Sequence, residues 1–177
     1  MPPPKRARHS AGVLLFRRPD GTADDRTEGV RATDDRAGFE VLLAHMGGPF
    51  WAGREDAAWS VPKGEYGPEE EPRAAARREF EEEFGHAVPD GAWVALGEVR
   101  QSGGKTVVVW AVEADVDPAA AVPGTFTMEW PRGSGVLREF PEVDRFAWCA
   151  PREAERRLVA GQRVFLDRLR EHLRGCG

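Results

Sequence analysis

Cysteine is scarce in this sequence, and long apolar runs are missing from it. The two cysteines, Cys149 and Cys176, lie far apart and lack the spacing of metal ligands. This argues against a disulfide framework and predicts free thiols in a reducing compartment. No apolar run is long enough to cross a membrane, and the N-terminus lacks a signal-peptide hydrophobic region. We therefore expect a cytoplasmic protein with no membrane partner.

An excess of basic charge is also missing. The sequence has 25 Lys and Arg against 30 Asp and Glu, which gives a net charge of −5. This balance argues against bulk nucleic-acid binding through a basic surface. It does not exclude an anionic nucleotide, because a bound metal ion can reverse the local sign. The four histidines are scattered without ligand spacing, so we predict no zinc site.

Length and composition are those of a globular chain. Apolar residues make up 41% and charged residues 31% of the 177 residues, which is enough for one domain with a proper core. We predict a single domain over residues 1–177. Within it, residues 1–9 form a basic flexible tail. Residues 19–38 form a mobile insertion, because they contain almost no large apolar side chains.

Hydrophobic patterns predict an alternation of strands and helices. A loop is expected at 47–58, a hairpin turn at 102–104, a helix from Pro151 to Gly161 and a final helix after it. Strands on both sides of one acidic helix, followed by C-terminal helices, indicate a mixed α/β fold. The predicted strands are 10–17, 40–46, 92–101, 105–114, 125–130 and 143–149.

The acidic helix is predicted at residues 72–84. Proline is favoured in a first turn and glycine at the end, as Pro72 and Gly85 would be. Ala76, Phe80 and Phe84 share one apolar stripe, which predicts the buried face. Three carboxylates fall beside that stripe, namely Glu79, Glu82 and Glu83.

Clustered carboxylates at the margin of a buried face have two interpretations. One is an ordinary solvated acidic helix. The other is a site for a hard divalent ion, Mg²⁺ or Mn²⁺, bound together with substrate phosphates. Spacing alone does not decide between them, and the order of the residues does.

Residues 64–85 resemble the Nudix box, GX5EX7REUXEEXGU, in which U is a bulky apolar residue. Gly64, Glu70 and Gly85 match the fixed positions, and Arg78-Glu79-Phe80-x-Glu82-Glu83 matches the central run. The one departure is His86 at the closing U position, where the following Ala87 and Val88 can supply the packing. The resemblance implies the Nudix fold, an α/β/α sandwich with a mixed β-sheet and the box as a loop-helix-loop.

The resemblance also implies chemistry. Nudix hydrolases cleave the diphosphate linkage of a nucleoside diphosphate joined to another group, with Mg²⁺ or Mn²⁺ as cofactor. It implies that Arg78 orients a glutamate or ties the helix to its loop, with Glu70 as its partner. The catalytic base is Glu79 or a late-loop glutamate, Glu139 or Glu129. The implied metal ligands are Glu79, Glu82, Glu83 and the carbonyl of Gly64; the catalytic set is Glu79, Glu82, Arg78 and Glu139.

The substrate is less sharply indicated. The run Trp59-x-x-Pro62-Lys63-Gly64 is similar to the lead-in of Nudix enzymes that act on dinucleoside polyphosphates, and some nucleoside-triphosphate enzymes share it. A group of bacterial proteins described as predicted pyrophosphohydrolases is similar over a longer stretch. The predicted substrate contacts are Lys63, Trp51, Tyr66 and Arg54, with Phe50, Trp130, Lys105, Arg132 and Arg138 as further candidates.

Several alternatives stay open at this level. They are a sanitiser of oxidised nucleoside triphosphates, an inositol-pyrophosphate phosphatase, and a hydrolase of sugar nucleotides or dinucleotide cofactors. A different class, a non-catalytic nucleotide sensor, is disfavoured because every box glutamate is present. Paired domains are common in the family, so a homodimer is a further expectation.

Overall fold

A mixed β-sheet with helices on both faces organises the chain. The computed structural model describes residues 8–19 and 38–176, so most of the predicted tail and insertion lie outside the described residues. Two 3₁₀ turns, Pro118–Ala120 and Ala160–Gln162, join the longer elements. In chain order these are β1 (Arg8–Arg17), β2 (Glu40–Met46), β3 (Trp59–Ser60), β4 (Lys63–Tyr66), α1 (Pro72–Phe84), β5 (Trp93–Arg100), β6 (Lys105–Glu113), β7 (Thr125–Glu129), β8 (Leu137–Pro141), β9 (Val143–Cys149), α2 (Pro151–Arg157) and α3 (Val164–Gly175).

Strand β1 lies at the centre of the sheet. The strand order is β3-β2-β1-β6-β5, with β4 also paired to β1 and β9 to β2. The β1–β6 pair is parallel and the other pairs of this sheet are antiparallel, so the predicted mixed sheet is confirmed. Strands β7 and β8 form a separate antiparallel hairpin.

The two faces of the sheet carry two hydrophobic clusters. Helix α1 covers one face through Ala76, Phe80 and Phe84, the stripe that its periodicity predicts. Helix α3 covers the other face with Phe165 and Leu169. Each large side chain removed from water in this way contributes about 1.5–3 kcal/mol to folding. The sheet is therefore a rigid platform from which loops at one end can present charged groups.

Helix α1 begins and ends where the sequence predicts. The Glu71 carboxylate caps its start by accepting from the N–H groups of Arg73 and Ala74 at 3.0 and 2.8 Å. Gly85 ends it in the left-handed region at φ 85°, with its N–H bonded to the carbonyl of Glu81. An L-residue rarely adopts that backbone conformation, which explains the glycine.

Other bounds differ from the predictions. The helix at Pro151 ends at Arg157 and not at Gly161, because Leu158 turns to an extended conformation and is fully buried beside Trp59. The short strands β3, β4 and β8 were not predicted. Strand β8 is exposed along most of its length, so it has no hydrophobic alternation to reveal it. Both cysteines are free, as predicted, and no helix of the described residues is long and apolar enough to span a membrane.

Candidate active site

The acidic helix and strand β4 meet through Arg78. Its guanidinium donates to both oxygens of Glu70, at 2.9 and 3.0 Å, and so confirms the predicted pairing of these residues. It also donates to the Glu79 carboxylate at 2.7 Å and to Glu82 at 3.2 Å. A further bond reaches the carbonyl of Glu65 on β4. Arg78 therefore ties the helix to its loop and orients two glutamates at once, and its bidentate bonds to Glu70 raise its pKa.

Gly64 and Glu79 lie in direct contact. A Cβ atom built on Gly64 would stand only 1.7 Å from Oε2 of Glu79 and 1.9 Å from its Cδ. The Glu79 side chain is 13% exposed, so it fills the space that a side chain at position 64 would need. The glycine is required here by close approach and not by a left-handed backbone.

Glu83 lies deeper, against the backbone of Lys63. Its Oε2 accepts the N–H of Lys63 at 3.2 Å. Burial raises the pKa of Glu83 to about 8, and the neighbouring Glu79 and Glu142 carboxylates add to the rise while Lys63 opposes it. Burial likewise raises the pKa of Glu79. Negative charge is thus crowded in a partly desolvated space, where a cation would favour the ionised forms.

Glu142 is a further member of this site that no sequence pattern singles out. Its charge contributes to the raised pKa of both Glu79 and Glu83. Its Oε2 would lie 3.6 Å from a Cβ on Gly124, whose N–H donates to the carbonyl of Glu82 at 3.3 Å. Glu142 follows the β7–β8 hairpin, and only the folding of that hairpin onto the end of α1 brings it near the box.

The four predicted metal-ligating positions are neighbours but do not form a closed metal site. Glu79 and Glu82 share the Arg78 guanidinium, whereas Glu83 bonds to Lys63. Accordingly, no three His, Cys, Asp or Glu side chains of residues 8–19 and 38–176 converge in ligating geometry. The donors nevertheless fit a hard divalent cation, because they are carboxylate oxygens beside the Gly64 backbone in a crowded, partly buried space.

The two late-loop glutamates predicted from the sequence lie on the hairpin. Glu129 accepts the N–H of Gly135 at 2.6 Å and thereby closes the hairpin turn. Glu139 is exposed on β8, opposite Thr127 of β7. The late-chain carboxylate among the main causes of the raised pKa of both Glu79 and Glu83 is Glu142.

Basic side chains lie beside the carboxylates. Burial lowers the pKa of Lys63, and the nearby charge of Lys105 lowers it further. Lys105 donates to Glu65 at 3.2 Å, and Arg8 pairs with the same carboxylate. Lys63 and Lys105 are thus the first residues of β4 and β6, their charges interact, and Lys63 is a residue that the sequence predicts to contact substrate.

The other predicted substrate contacts divide between two places. Tyr66 ends β4, inside the box, and its ring lies 6.0 Å from that of His9. Trp51 packs partly against the core and carries the Arg54 guanidinium 5.0 Å above its ring. Within the described residues, no hydrogen bond or ion pair joins Trp51 or Arg54 to the box carboxylates. They belong to residues 47–58, called here the aromatic loop.

The aromatic loop reaches the hairpin. Phe50, which is 52% exposed, meets the ring of Trp130 edge-on at 5.2 Å. The N–H of Gly47 donates to the carbonyl of Glu142 at 2.9 Å. A Cβ on Gly47 would stand 1.9 Å from the carbonyl oxygen of Pro141, so only glycine permits this approach. Loop, hairpin and box helix therefore converge at Glu142.

The one departure from the box pattern has a structural explanation. His86 is exposed, and its Nε2 lies 2.9 Å from the carbonyl of Ala120. Val88 is only 5% exposed and packs in the cluster under α1. It supplies the apolar contact that the closing box position would give.

The loop-helix-loop with its gathered carboxylates, set on a mixed sheet, defines a hydrolase of phosphoric anhydrides.

Comparison with known families gives the same class. The model of the NUDIX domain family matches residues 24–169, and the chain belongs to this family. It is a Nudix hydrolase, an enzyme that cleaves diphosphate linkages. No sequence among curated proteins matches it significantly.

Solved structures share the fold at low sequence identity. A C. elegans Ap4A hydrolase binary complex matches with a TM-score of 0.57 and 19% sequence identity, over 94% of this chain and 98% of that one. The NUDIX domain of Shewanella oneidensis NrtR, complexed with ADP ribose, matches with a TM-score of 0.55 and 14% identity, over 96% of this chain and 90% of that one. A Nudix hydrolase from M. smegmatis, RenU, matches with a TM-score of 0.51 and 24% identity, over 97% of this chain and 88% of that one.

Proposed function

We propose that this protein hydrolyses dinucleoside polyphosphates with Mg²⁺ or Mn²⁺, and nucleoside triphosphates as a second substrate class. One observation carries the proposal. Glu79 and Glu83 lie in a partly buried space at the edge of the box helix, where burial and the nearby charge of Glu142 raise the pKa of both carboxyl groups. Such a space is suited to a divalent cation and the phosphates it binds.

The cation would be held by Glu79, Glu82, Glu83 and the Gly64 carbonyl. When bound, it would neutralise charge on the phosphate oxygens and lower the pKa of a coordinated water. Arg78 orients Glu79 and Glu82, and its bidentate bonds to Glu70 fix the guanidinium itself. Gly64 leaves the room in which Glu79 reaches this position.

Glu142 is our proposed general base, in place of the predicted Glu139. Water attacks one phosphorus of the diphosphate bridge, and its proton passes to the Glu142 carboxylate. The bond from that phosphorus to the bridging oxygen breaks, and the oxygen leaves with the other phosphate. The nearby charge of Glu142, which acts on both Glu79 and Glu83, supports the role, because a general base must lie close to the water that the cation would activate.

Lys63 and Lys105 favour a substrate with a long phosphate chain. These two lysines lie near each other at the edge of the box, and Lys105 is 23% exposed. Ammonium groups bind phosphates as point charges, so a pair beyond the cleavage site favours a substrate with additional phosphates. The similar C. elegans structure is an Ap4A hydrolase, which supports testing this class first.

A substrate panel tests the proposal. It contains diadenosine polyphosphates, nucleoside triphosphates including oxidised ones, ADP-ribose, a sugar nucleotide and an inositol pyrophosphate. Each is incubated with Mg²⁺, Mn²⁺ or EDTA, and the products are separated by chromatography. Hydrolysis in ¹⁸O-labelled water then identifies the phosphorus that is attacked.

We expect the highest kcat/KM on a diadenosine polyphosphate, with no turnover in EDTA. Full activity in EDTA would refute the role of the metal. A preference for ADP-ribose or the inositol pyrophosphate would make that compound's class the substrate class in place of dinucleoside polyphosphates. Tight nucleotide binding without cleavage would favour a non-catalytic sensor. Lys105→Ala should raise KM for the tetraphosphate more than for ADP-ribose, and equal effects would contradict the assignment of the lysines.

The cytoplasmic location, the single domain over residues 1–177 and the homodimer stay predictions.

A further inference from the structure

His45, on β2, is buried at 1% exposure and has a hydrogen-bond partner at each ring nitrogen. Its Nδ1 lies 2.7 Å from Oδ1 of Asp144, and its Nε2 lies 2.6 Å from the carbonyl oxygen of Arg54. The ring also packs edge-on against Trp59 at 5.0 Å. It therefore joins strand β9 to the aromatic loop.

Both of these partners accept hydrogen bonds. A backbone carbonyl can only accept, and an ionised carboxylate can only accept. A neutral imidazole donates from one nitrogen, so its other nitrogen would place a lone pair against an oxygen at less than 3 Å. We propose that His45 is a positioning residue that carries both ring protons near neutral pH and, as an imidazolium, clamps the aromatic loop to β9.

A β-bulge delivers the carboxylate. In the β2–β9 pair His45 is opposite Arg145, whereas Met46 is opposite Val143, so Asp144 is the additional residue. Without the bulge, alternation along β9 would point Asp144 to the opposite face of the sheet from His45. Bulges commonly re-aim one side chain in this manner near functional sites.

The clamp holds a loop that is not in a relaxed conformation. Ala57 has a φ of 53°, which is unfavourable for a residue with a side chain. The loop carries Phe50 and Arg54, and its start bonds to the Glu142 carbonyl. Loss of the bond to the Arg54 carbonyl would therefore release the part of the loop that carries Trp51 and Arg54, two of the predicted substrate contacts.

Five charged residues lie around His45, three of them arginines and two of them carboxylates, and the Asp144 carboxylate is the one in direct contact with the ring. Glu55 pairs with Arg145 and lies 3.8 Å from Arg157, and both arginines lie over the Trp59 ring. Asp144 adds one further carboxylate next to the imidazole. The charged groups that face it are Asp144 and Arg145 on β9, Arg54 and Glu55 on the aromatic loop, and Arg157 on α2.

Nuclear magnetic resonance of the ¹⁵N-histidine-labelled full chain tests the protonation state directly. At pH 7 we expect both ring nitrogens of His45 to show the shifts and attached protons of an imidazolium, assigned by their loss in His45→Gln. His172, which is more accessible on α3, provides a second histidine signal for comparison in the same spectra. One protonated and one bare nitrogen in His45 would overturn the proposal, as would a proton located on Asp144.

The kinetic consequence rests on the proposed function and is tested separately. Asp144→Asn keeps the shape and removes the charge that stabilises the imidazolium. We expect KM above neutral pH to rise about threefold to tenfold, the range of one hydrogen bond, with kcat unchanged. Asp167→Asn, which removes an ion-paired carboxylate on α3, should leave KM unchanged.

Superimposable pH profiles of KM for the wild type and Asp144→Asn would contradict the clamp. Equal losses in kcat and in thermal stability, without a change in the pH profile, would reduce the contact to an ordinary structural one and also overturn it. If the protein cleaves no substrate on the panel, the proposed function fails while the nuclear magnetic resonance result still decides the state of His45. If His45→Gln does not fold, Asp144→Asn carries both measurements.

Discussion

Replacing Gly64 by alanine deletes no charged or hydrogen-bonding group, yet we expect this substitution to lower turnover severely. The new Cβ would lie 1.7 Å from Oε2 of Glu79, 1.9 Å from its Cδ and 2.4 Å from its Oε1. Carbon and oxygen atoms pack at roughly 3.5 Å, so the carboxylate would have to retreat by about 2 Å. The bond from Arg78 to Glu79 at 2.7 Å would break with it.

The expected magnitude follows from that displacement. A misplacement of about 1 Å at a reacting group can lower a rate about 100-fold. We therefore expect kcat of Gly64→Ala to fall at least about 100-fold, with a small change in melting temperature, because β4 keeps its backbone pairing to β1. Binding of Mn²⁺, measured by electron paramagnetic resonance, should weaken in parallel.

Gly67→Ala is the matched control. It lies in the loop between β4 and α1, and a Cβ there would have no heavy atom within 4 Å. We expect near-native kcat, metal affinity and stability from this variant. A Gly64→Ala enzyme with wild-type turnover and Mn²⁺ affinity would refute the argument that Glu79 must occupy this space.

Other predictions concern the remaining acids and the two thiols. Glu83→Gln should lower kcat at least about 100-fold while the fold survives, and thermal melting with and without Mn²⁺ would show whether the metal response is lost as well. Glu142→Gln should lower kcat by about 10²–10⁴-fold with little change in KM, whereas Glu139→Gln should behave like wild type; the reverse outcome would return the base to Glu139. In thiol titration with a chromogenic disulfide, Cys176 should react at once and Cys149 only on unfolding, because burial raises the pKa of Cys149 from 9.0 to about 11. Because folding raises the pKa of this thiol, the buried neutral thiol contributes to the free energy of unfolding below about pH 9. That contribution is lost as the pH rises from about 9 to about 11. Alkaline unfolding should therefore begin earlier in wild type than in Cys149→Ser.

Much of the fold was predictable because its signals are local. Helix α1 carries a proline in its first turn, an apolar stripe and a glycine stop, and its bounds are as predicted. Strands β1 and β2 are apolar runs in the centre of the sheet. Strand β8 gives no such signal, since its residues are mostly exposed and its stability comes from pairing with β7.

The candidate site likewise combines contacts within the box, which the sequence predicts, with long-range contacts, which it does not predict. Arg78 and Glu70 lie eight residues apart in one loop and helix, so the box pattern alone predicts their pairing. The contact of Gly64 with Glu79 also lies within the box, although its distance does not follow from spacing. Glu142 and His45 have no local pattern, because their partners are brought to them by the hairpin and by a bulge in β9.

The sequence by itself determines the family and the acidic helix, because order and spacing of charges along one helix are properties of neighbouring residues. Only the tertiary structure decides which further groups join that helix. Pairing of β4 and β6 with β1 brings the charge of Lys105 within range of Lys63, and the folded hairpin brings Glu142 near Glu79 and Glu83. These contacts depend on long-range packing, which no short stretch of sequence records.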